Sequence, residues 1–145
     1  MTILRGIPGS GKSTIAEAMQ IASGAVICSA DHYFMKEGEY KFNHTLLETA
    51  HKMCQDKALE AMSNDISVII DNTNLLPDHI KVYINMAQKF RATVQLIQVH
   101  TNVDTAVARN VHNVPSGAIR NMNKYFFDHY SYVLSLAEAH NSTIM

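Results

Sequence analysis

The sequence predicts a three-layer α/β fold in which a parallel sheet of four to five strands is covered by helices on both faces. Short β-branched runs alternate with longer stretches of helical period along all 145 residues, the pattern of right-handed strand–helix–strand crossovers. The runs are apolar at successive positions, as strands buried on both sides must be. The first of them leads through Gly6-Ile7-Pro8-Gly9-Ser10-Gly11-Lys12-Ser13-Thr14. That stretch fits the phosphate-cradling pattern GxxxxGKS/T at every fixed position, a pattern that belongs between a strand and a helix.

Taken in order, Thr2 to Ile7 reads as the first buried strand. Ser13 to Ala22 follows as a helix, with Ile15, Ala16, Ala18 and Met19 apolar and no internal Gly or Pro, and Ser23-Gly24 closes it. Ala25 to Ser29 is a second strand with Asp31 just past its end. The charged, glycine-containing segment from Met35 to Asn43 is expected to be a loop. Thr45-Leu46-Leu47-Glu48 has the form of a capping box. It opens a helix to about Ser63, on which Leu46, Leu47, Ala50, Met53, Cys54, Ala58, Ala61 and Met62 recur at helical spacing.

Ile66 to Asp71 is the clearest buried strand and ends on a carboxylate. Pro77 opens the next helix, whose apolar stripe is Ile80, Tyr83, Ile84, Ala87 and Phe90. Thr93 to Val99 is a fourth strand. Thr101 and Asp104, spaced as a cap and its partner, start a short helix that reaches Arg109 and Asn110. Val111 to Pro115 breaks the pattern as a short lid. From Ser116, the residues Ile119, Met122, Phe126, Tyr130, Val133 and Ala137 mark one long final helix. A fifth strand would have to lie in the last few residues.

The length suits a single domain over residues 1–145. Hydrophobic residues make up 47% and charged residues 17%, which excludes a disordered chain. A net charge of −1 supplies no general attraction for nucleic acid, so any such contact needs a local basic groove. Cys28 and Cys54 form no CxxC pair, and no run approaches the roughly twenty apolar residues of a membrane span. A cytoplasmic protein is the expectation. The eight histidines show neither HExxH nor a Cys/His grouping, so no zinc site is expected.

Polyphosphate is best held by backbone N–H groups, and glycines let them curl inward. Gly9, Ser10, Gly11, Lys12, Ser13 and Thr14 are thus the expected cofactor-binding set for ATP. Lys12 follows the β- and γ-phosphates, and the Ser13 hydroxyl ligates Mg²⁺. Strand ends collect ligands in such sheets, and here they carry Asp31 and Asp71-Asn72-Thr73-Asn74.

Asp31 stands where an acceptor hydroxyl would approach the γ-phosphate and could take its proton; a turn-capping aspartate is the other reading. Tyr33, beside it, suits a pocket wall that stacks a base or sugar. Asp71 matches a carboxylate that holds Mg²⁺ through water, or else caps the next turn. Asn72 and Thr73 could touch substrate or merely shape the loop. Arg109 and Arg120 flank the lid, where a guanidinium would neutralise the transferring phosphoryl group, although surface arginines are common. His112, within the lid, reads as a hinge-side contact.

The run of motifs RGIPGSGKST, SADHYF, VIIDNTNLLP and ARNVHNVPSGAIRNM resembles the P-loop kinase family that includes phage-type 5′-hydroxyl polynucleotide kinases and the kinase-like domain of Nedd-binding proteins. The likeness runs from about Thr2 to Tyr125. It implies a compact kinase fold with Lys12 on the phosphates, Ser13 on Mg²⁺, Asp31 as general base and Arg109 as the lid arginine. Asp71, Asn72 and Thr73 match a polar run lining the acceptor site. Phage polynucleotide kinases carry an arginine where this chain has Phe34.

The expected function is ATP- and Mg²⁺-dependent transfer of the γ-phosphate to a 5′-hydroxyl of a nucleic acid. A nucleoside or other small hydroxylated metabolite is the alternative acceptor. An ATP-dependent binding module without an acceptor is the alternative of another class. A GTPase lacks support, because neither DxxG nor NKxD is present.

Overall fold

The structure is a computed structural model and describes residues 1–144. Its centre is a four-stranded parallel sheet of β1 (Thr2–Arg5), β2 (Val26–Cys28), β5 (Val68–Asp71) and β6 (Gln95–Gln98), in the order β2-β5-β1-β6. The helices between them are α1 (Lys12–Ser23), α2 (Leu47–Ser63) and α3 (Pro77–Lys89). After β6 come α4 (Val103–Ala108), α5 (Ser116–Asp128) and α6 (Tyr130–Ile144).

Side chains on a strand alternate between faces, and the core divides accordingly. Ile3, Cys28, Val68 and Ile70 point to one face and are covered by Cys54, Ala58 and Met62 of α2, Ile80, Tyr83 and Ala87 of α3, and Val133 and Ala137 of α6. Leu4, Ile69, Ile27 and Ile97 point to the other, covered by Ala16, Ile15 and Met19 of α1. All four β5 residues are buried, which explains why this strand reads so clearly as an apolar run. At the outer strand, the ammonium of Lys57 donates to the Ile27 carbonyl at 2.8 Å. A charged group on an open sheet edge discourages pairing with another chain.

The three-layer α/β expectation holds, with four strands in the main sheet. Where a fifth could have lain, α6 occupies the chain to Ile144; Met145 is outside the described residues. The final helix is two helices rather than one. Its break at His129 carries no Gly or Pro and comes from tertiary contacts: the Tyr125 and Phe126 carbonyls, which close the last turns of α5, accept from the buried Arg5 guanidinium. Beyond the break, Val133 and Ala137 return to the core.

Three local expectations are corrected. The segment expected as a loop contains a two-residue hairpin, β3 (Met35–Lys36) and β4 (Glu39–Tyr40). Its turn residues Glu37 and Gly38 both have positive φ, 54° and 80°, as a tight primed turn requires. The capping box at Thr45 does not form. Asn43 instead caps a 3₁₀ turn over His44–Leu46 by accepting from Thr45 N–H at 3.0 Å, and α2 starts after it. Likewise α4 is capped by Asn102, whose Oδ1 accepts from Asp104 and Thr105 N–H, while Thr101 turns its hydroxyl to the Ser10 carbonyl at 2.8 Å. At α4 the Asn102 amide oxygen takes the N–H groups that Thr101 would have capped, and two residues before Thr45 the Asn43 amide oxygen accepts both the N–H and the hydroxyl of that threonine.

Candidate active site

The phosphate loop joins the end of β1 to α1. Gly6 N–H donates to the Thr73 carbonyl at 3.1 Å, so the loop after β1 and the loop after β5 leave the sheet together. Register helps: Leu4 pairs with Asp71. Gly9 sits at φ +78° with a hypothetical Cβ only 2.2 Å from the Ala106 carbonyl oxygen, so α4 lies directly against the loop. Gly11 has φ +98° and open space where a Cβ would stand. Its backbone faces the free side of the cradle, at the N-terminus of α1, where N–H groups and helix dipole both favour an anion.

Lys12 is almost wholly buried, 9% exposed. Its ammonium donates to the Ile7 carbonyl at 3.0 Å and to Ser10 Oγ at 3.4 Å. Burial pulls its pKa down to about 8, with the charges of Asp71 and Asp31 opposing the fall. Ser13 Oγ donates to Asp71 Oδ2 at 3.0 Å. Burial raises the Asp71 carboxyl above its ordinary range, and the Ser13 hydrogen bond and Lys12 hold it down. A hydroxyl and a carboxylate side by side, beside a phosphate cradle, form the all-oxygen donor set that suits Mg²⁺. The residues therefore fit that ion.

Asp31 lies on the 3₁₀ turn Ala30–Phe34, which is capped by Ser29 Oγ accepting from Asp31 N–H. The turn is tied to β5 by Asn72, whose Oδ1 accepts from Ala30 N–H at 2.9 Å while its amide nitrogen lies 3.5 Å from Cys54 Sγ. Asn72 is thus engaged in holding the Asp31 turn against the sheet end. Asp31 itself points outward, its side chain 54% exposed. Tyr40 donates its hydroxyl to Oδ1 at 2.9 Å, and His112 Nε2 stands 3.9 Å from Oδ2. The Tyr40 and His112 rings overlap with centroids 3.8 Å apart.

Tyr33 packs edge-on to Phe34 at 5.4 Å. With Ser29, His32, Met53 and Lys57, it lines a surface cavity of about 420 Å³ between the turn and α2. Thr73 lends its carbonyl to the phosphate loop and lies beside Asp71. Arg109 is exposed at the end of α4, three residues after the Ala106 that touches Gly9. Arg120 pairs with Asp104 at 2.7 Å, joining α5 to α4. The lid between them is closed on itself by Asn110, which donates to the Val114 carbonyl and accepts from Val114 N–H. Among the predicted residues, the structure brings Lys12, Ser13 and Asp71 into one cluster, with Asp31 near enough for its charge to act on Lys12 and Asp71.

Three contributors escaped the sequence reading. Tyr40 sits in a segment expected to be a plain loop, and His112 was read as a hinge contact. Arg5 passed as part of a buried strand, although an arginine inside an apolar run is itself a signal of a buried polar hub.

Residues 1–127 match the family model described as "AAA domain", and the chain belongs to that family. Human NEDD4-binding protein 2 is 35% identical over 99% of this chain and 8% of its own length. The bifunctional polynucleotide phosphatase/kinase of Schizosaccharomyces pombe is 32% identical over 77% of this chain and 24% of its own. Among solved structures, one of the Pnkp1/Rnl/Hen1 RNA repair complex superposes with a TM-score of 0.76 at 23% identity, over 90% of this chain and 45% of that one. The chain thus spans a quarter or less of these curated relatives, and the fold is that of P-loop kinases. The resemblance carried by the four motifs holds.

Proposed function

We propose that the protein transfers the γ-phosphate of ATP, with Mg²⁺, to a 5′-hydroxyl of a nucleic acid. The observation that carries this reading is the placement of an exposed, oriented carboxylate, Asp31, near the cluster that Ser13 forms with the buried Lys12 and Asp71. A cradle alone would bind nucleotide. A base at its mouth gives the nucleotide something to react with.

In this reading the loop N–H groups and Lys12 hold the β- and γ-phosphates. Ser13 directly, and Asp71 through water, would hold Mg²⁺, which when bound neutralises charge on the phosphate oxygens. Asp31 accepts the proton of the acceptor hydroxyl as its oxygen forms the new bond to the γ-phosphorus. The bond from that phosphorus to the β,γ-bridging oxygen breaks, and its electron pair leaves with ADP. Arg109, exposed at the lid, reaches the charge that develops on the transferred group. Thr73 and Tyr33 contact the acceptor, and Arg120 steadies the lid from α5 through Asp104. The S. pombe relative's name, which joins polynucleotide to kinase, supports the nucleic-acid acceptor. So do the aromatic rings of Tyr33 and the exposed Phe42 near Asp31, since bases stack on such faces.

One observation favours a second reading, a small uncharged hydroxylated acceptor. Phe34 is buried, 2% exposed, in an aromatic cluster with Tyr33, Tyr40 and Phe42, so this position offers no cation to an acceptor's phosphates. Transfer from terminally labelled ATP to a 5′-hydroxyl oligonucleotide, beside a nucleoside and sugar panel, decides between the two. Label on the oligonucleotide that disappears with Asp31→Asn supports the first reading. Label only on a small molecule replaces it with the second, and bound ATP with no labelled product overturns both.

A further inference from the structure

An outward carboxylate on a five-residue turn has little to fix its rotamer, and a general base must be aimed. Asp31 is aimed by two aromatic residues from elsewhere in the chain. Tyr40 donates to Oδ1, which leaves Oδ2 as the oxygen free to receive a proton. His112 Nε2, 3.9 Å from Oδ2, is too far to occupy that oxygen with a hydrogen bond.

Tyr40 could not hold this position by itself. It belongs to a hairpin of two-residue strands, which has almost no stability of its own. Its ring is therefore packed on every available side: edge-on to Phe34 at 6.2 Å, parallel to Phe42 at 6.4 Å, and against His112 of the lid at 3.8 Å. Phe34 in turn rests on Ala30 and Ala50 in a small core of its own. The hairpin is anchored through Lys41 N–H, which donates to the Phe34 carbonyl at 2.8 Å. The contact with His112 differs from the others because it comes from a separate element, the segment that follows Arg109.

We propose that Tyr40 is a positioning residue for Asp31 and that His112 clasps Tyr40 in place, so that the aim of the base is coupled to the lid. The inference rests on the phosphotransfer reading of Asp31 but not on which hydroxyl is phosphorylated. Opening of the lid would withdraw His112, free the Tyr40 ring and let the carboxylate rotate. Closure would restore the aim of Asp31 as Arg109 approaches the phosphates.

The test is transfer by the full chain to an oligonucleotide, nucleoside and sugar panel, in single turnovers with excess enzyme where rates are low. Tyr40→Phe keeps the ring and its packing and removes only the hydroxyl. Its kcat is expected to fall about tenfold or more, the effect of one hydrogen bond to a charged group, with KM for ATP and melting temperature unchanged. In an Asp31→Asn background the same change is expected to cost nothing further, because there is no carboxylate left to aim. His112→Ala is expected to lower kcat similarly, and His112→Phe to restore most of it through the retained ring. An unchanged kcat in Tyr40→Phe, or an equal loss in the Asp31→Asn background, overturns the positioning role alone. A wild-type protein that phosphorylates no hydroxyl overturns the transfer reading and the positioning role together.

Discussion

Ser13 Oγ donates to Asp71 Oδ2 at 3.0 Å, joining the first turn of α1 to the end of β5. The contact follows from topology: β5 lies beside β1, so the residue after the loop lysine and the last residue of the neighbouring strand meet at the sheet's carboxyl edge. If this pair holds Mg²⁺, Asp71→Asn should weaken ATP binding only when the ion is present. Calorimetric titration is expected to show Mg²⁺-ATP affinity falling at least tenfold. In chelator, ATP should bind no more weakly than to the wild type, since a buried negative charge has been removed from beside the phosphates. Equal losses in both conditions would count against the metal assignment.

Lys12 sets up a pH dependence whose sign is fixed by burial. Its pKa is about 8 in the fold against an ordinary 10.5. Between those values the unfolded chain binds the extra proton, so this group's contribution makes stability rise with pH across the window from about 8 to 10.5. Below the window the buried charge costs roughly 3 kcal/mol, a cost the phosphates of ATP would offset. Lys12→Met is expected to raise the melting temperature at pH 7, to remove the extra stability that wild type gains above pH 8, and to abolish stabilisation by ATP. Scanning calorimetry at pH 7 and 9.5, with and without nucleotide, checks all three.

Gly9 and Gly11 both have positive φ, yet substitution should fail differently at each. A Cβ at Gly9 would collide with the backbone of Ala106, whose carbonyl oxygen lies 2.2 Å away, and α4 would have to move. Gly9→Ala is expected to lower stability by about 3 kcal/mol or more. At Gly11 nothing lies within 4 Å, so Gly11→Ala should cost only about 1 kcal/mol of backbone strain. Its methyl would enter the space where phosphate is to lie. Urea melts separate the two costs, and ATP-induced stabilisation should be lost in the milder variant.

The strands and the phosphate cluster were legible because local chemistry determines them. A β5 of Val68, Ile69 and Ile70 can only be buried, and Gly9, Gly11, Lys12 and Ser13 stand at spacings that fix their geometry. The rest depended on partners distant in sequence. Thr45 and Thr101 fit a capping pattern, but the amide oxygens that accept the N–H groups are those of Asn43 and Asn102, while both threonine hydroxyls donate elsewhere. Nothing local marks the break at His129, since it is Arg5, 120 residues from Tyr125, that accompanies the end of α5. Asn72 could be read as touching substrate or as shaping the loop, and only the fold reveals that its amide oxygen accepts from Ala30 N–H. Tyr40 and His112 meet across 72 residues of chain, a pairing that no spacing rule encodes.

Arg5 provides the sharpest stability test. It is fully buried, and among the described residues it has no carboxylate partner and its five side-chain hydrogen bonds all go to neutral oxygens: Asn74 and Leu75 after β5, Gln98 of β6, and Tyr125 and Phe126 of α5. Its guanidinium also lies 4.8 Å from the Phe126 ring centroid. Burial lowers its pKa to about 10, so it remains charged at pH 7, and the C-terminal end of the α5 dipole favours that charge. Lysine has three donors on a single nitrogen and cannot reach oxygens arranged around a planar fork. Methionine removes the charge but leaves four backbone carbonyls without their donor. Both Arg5→Lys and Arg5→Met are therefore expected to lose about 3 kcal/mol or more in urea unfolding, with faster amide exchange at His129 and Val133 as the α5–α6 corner loosens. Arg109→Ala, at an exposed site, should leave the urea midpoint unchanged while lowering transfer. An Arg5→Met protein with the wild-type midpoint would mean that the fan of hydrogen bonds contributes no net stability, and the corner at His129 would then need another cause.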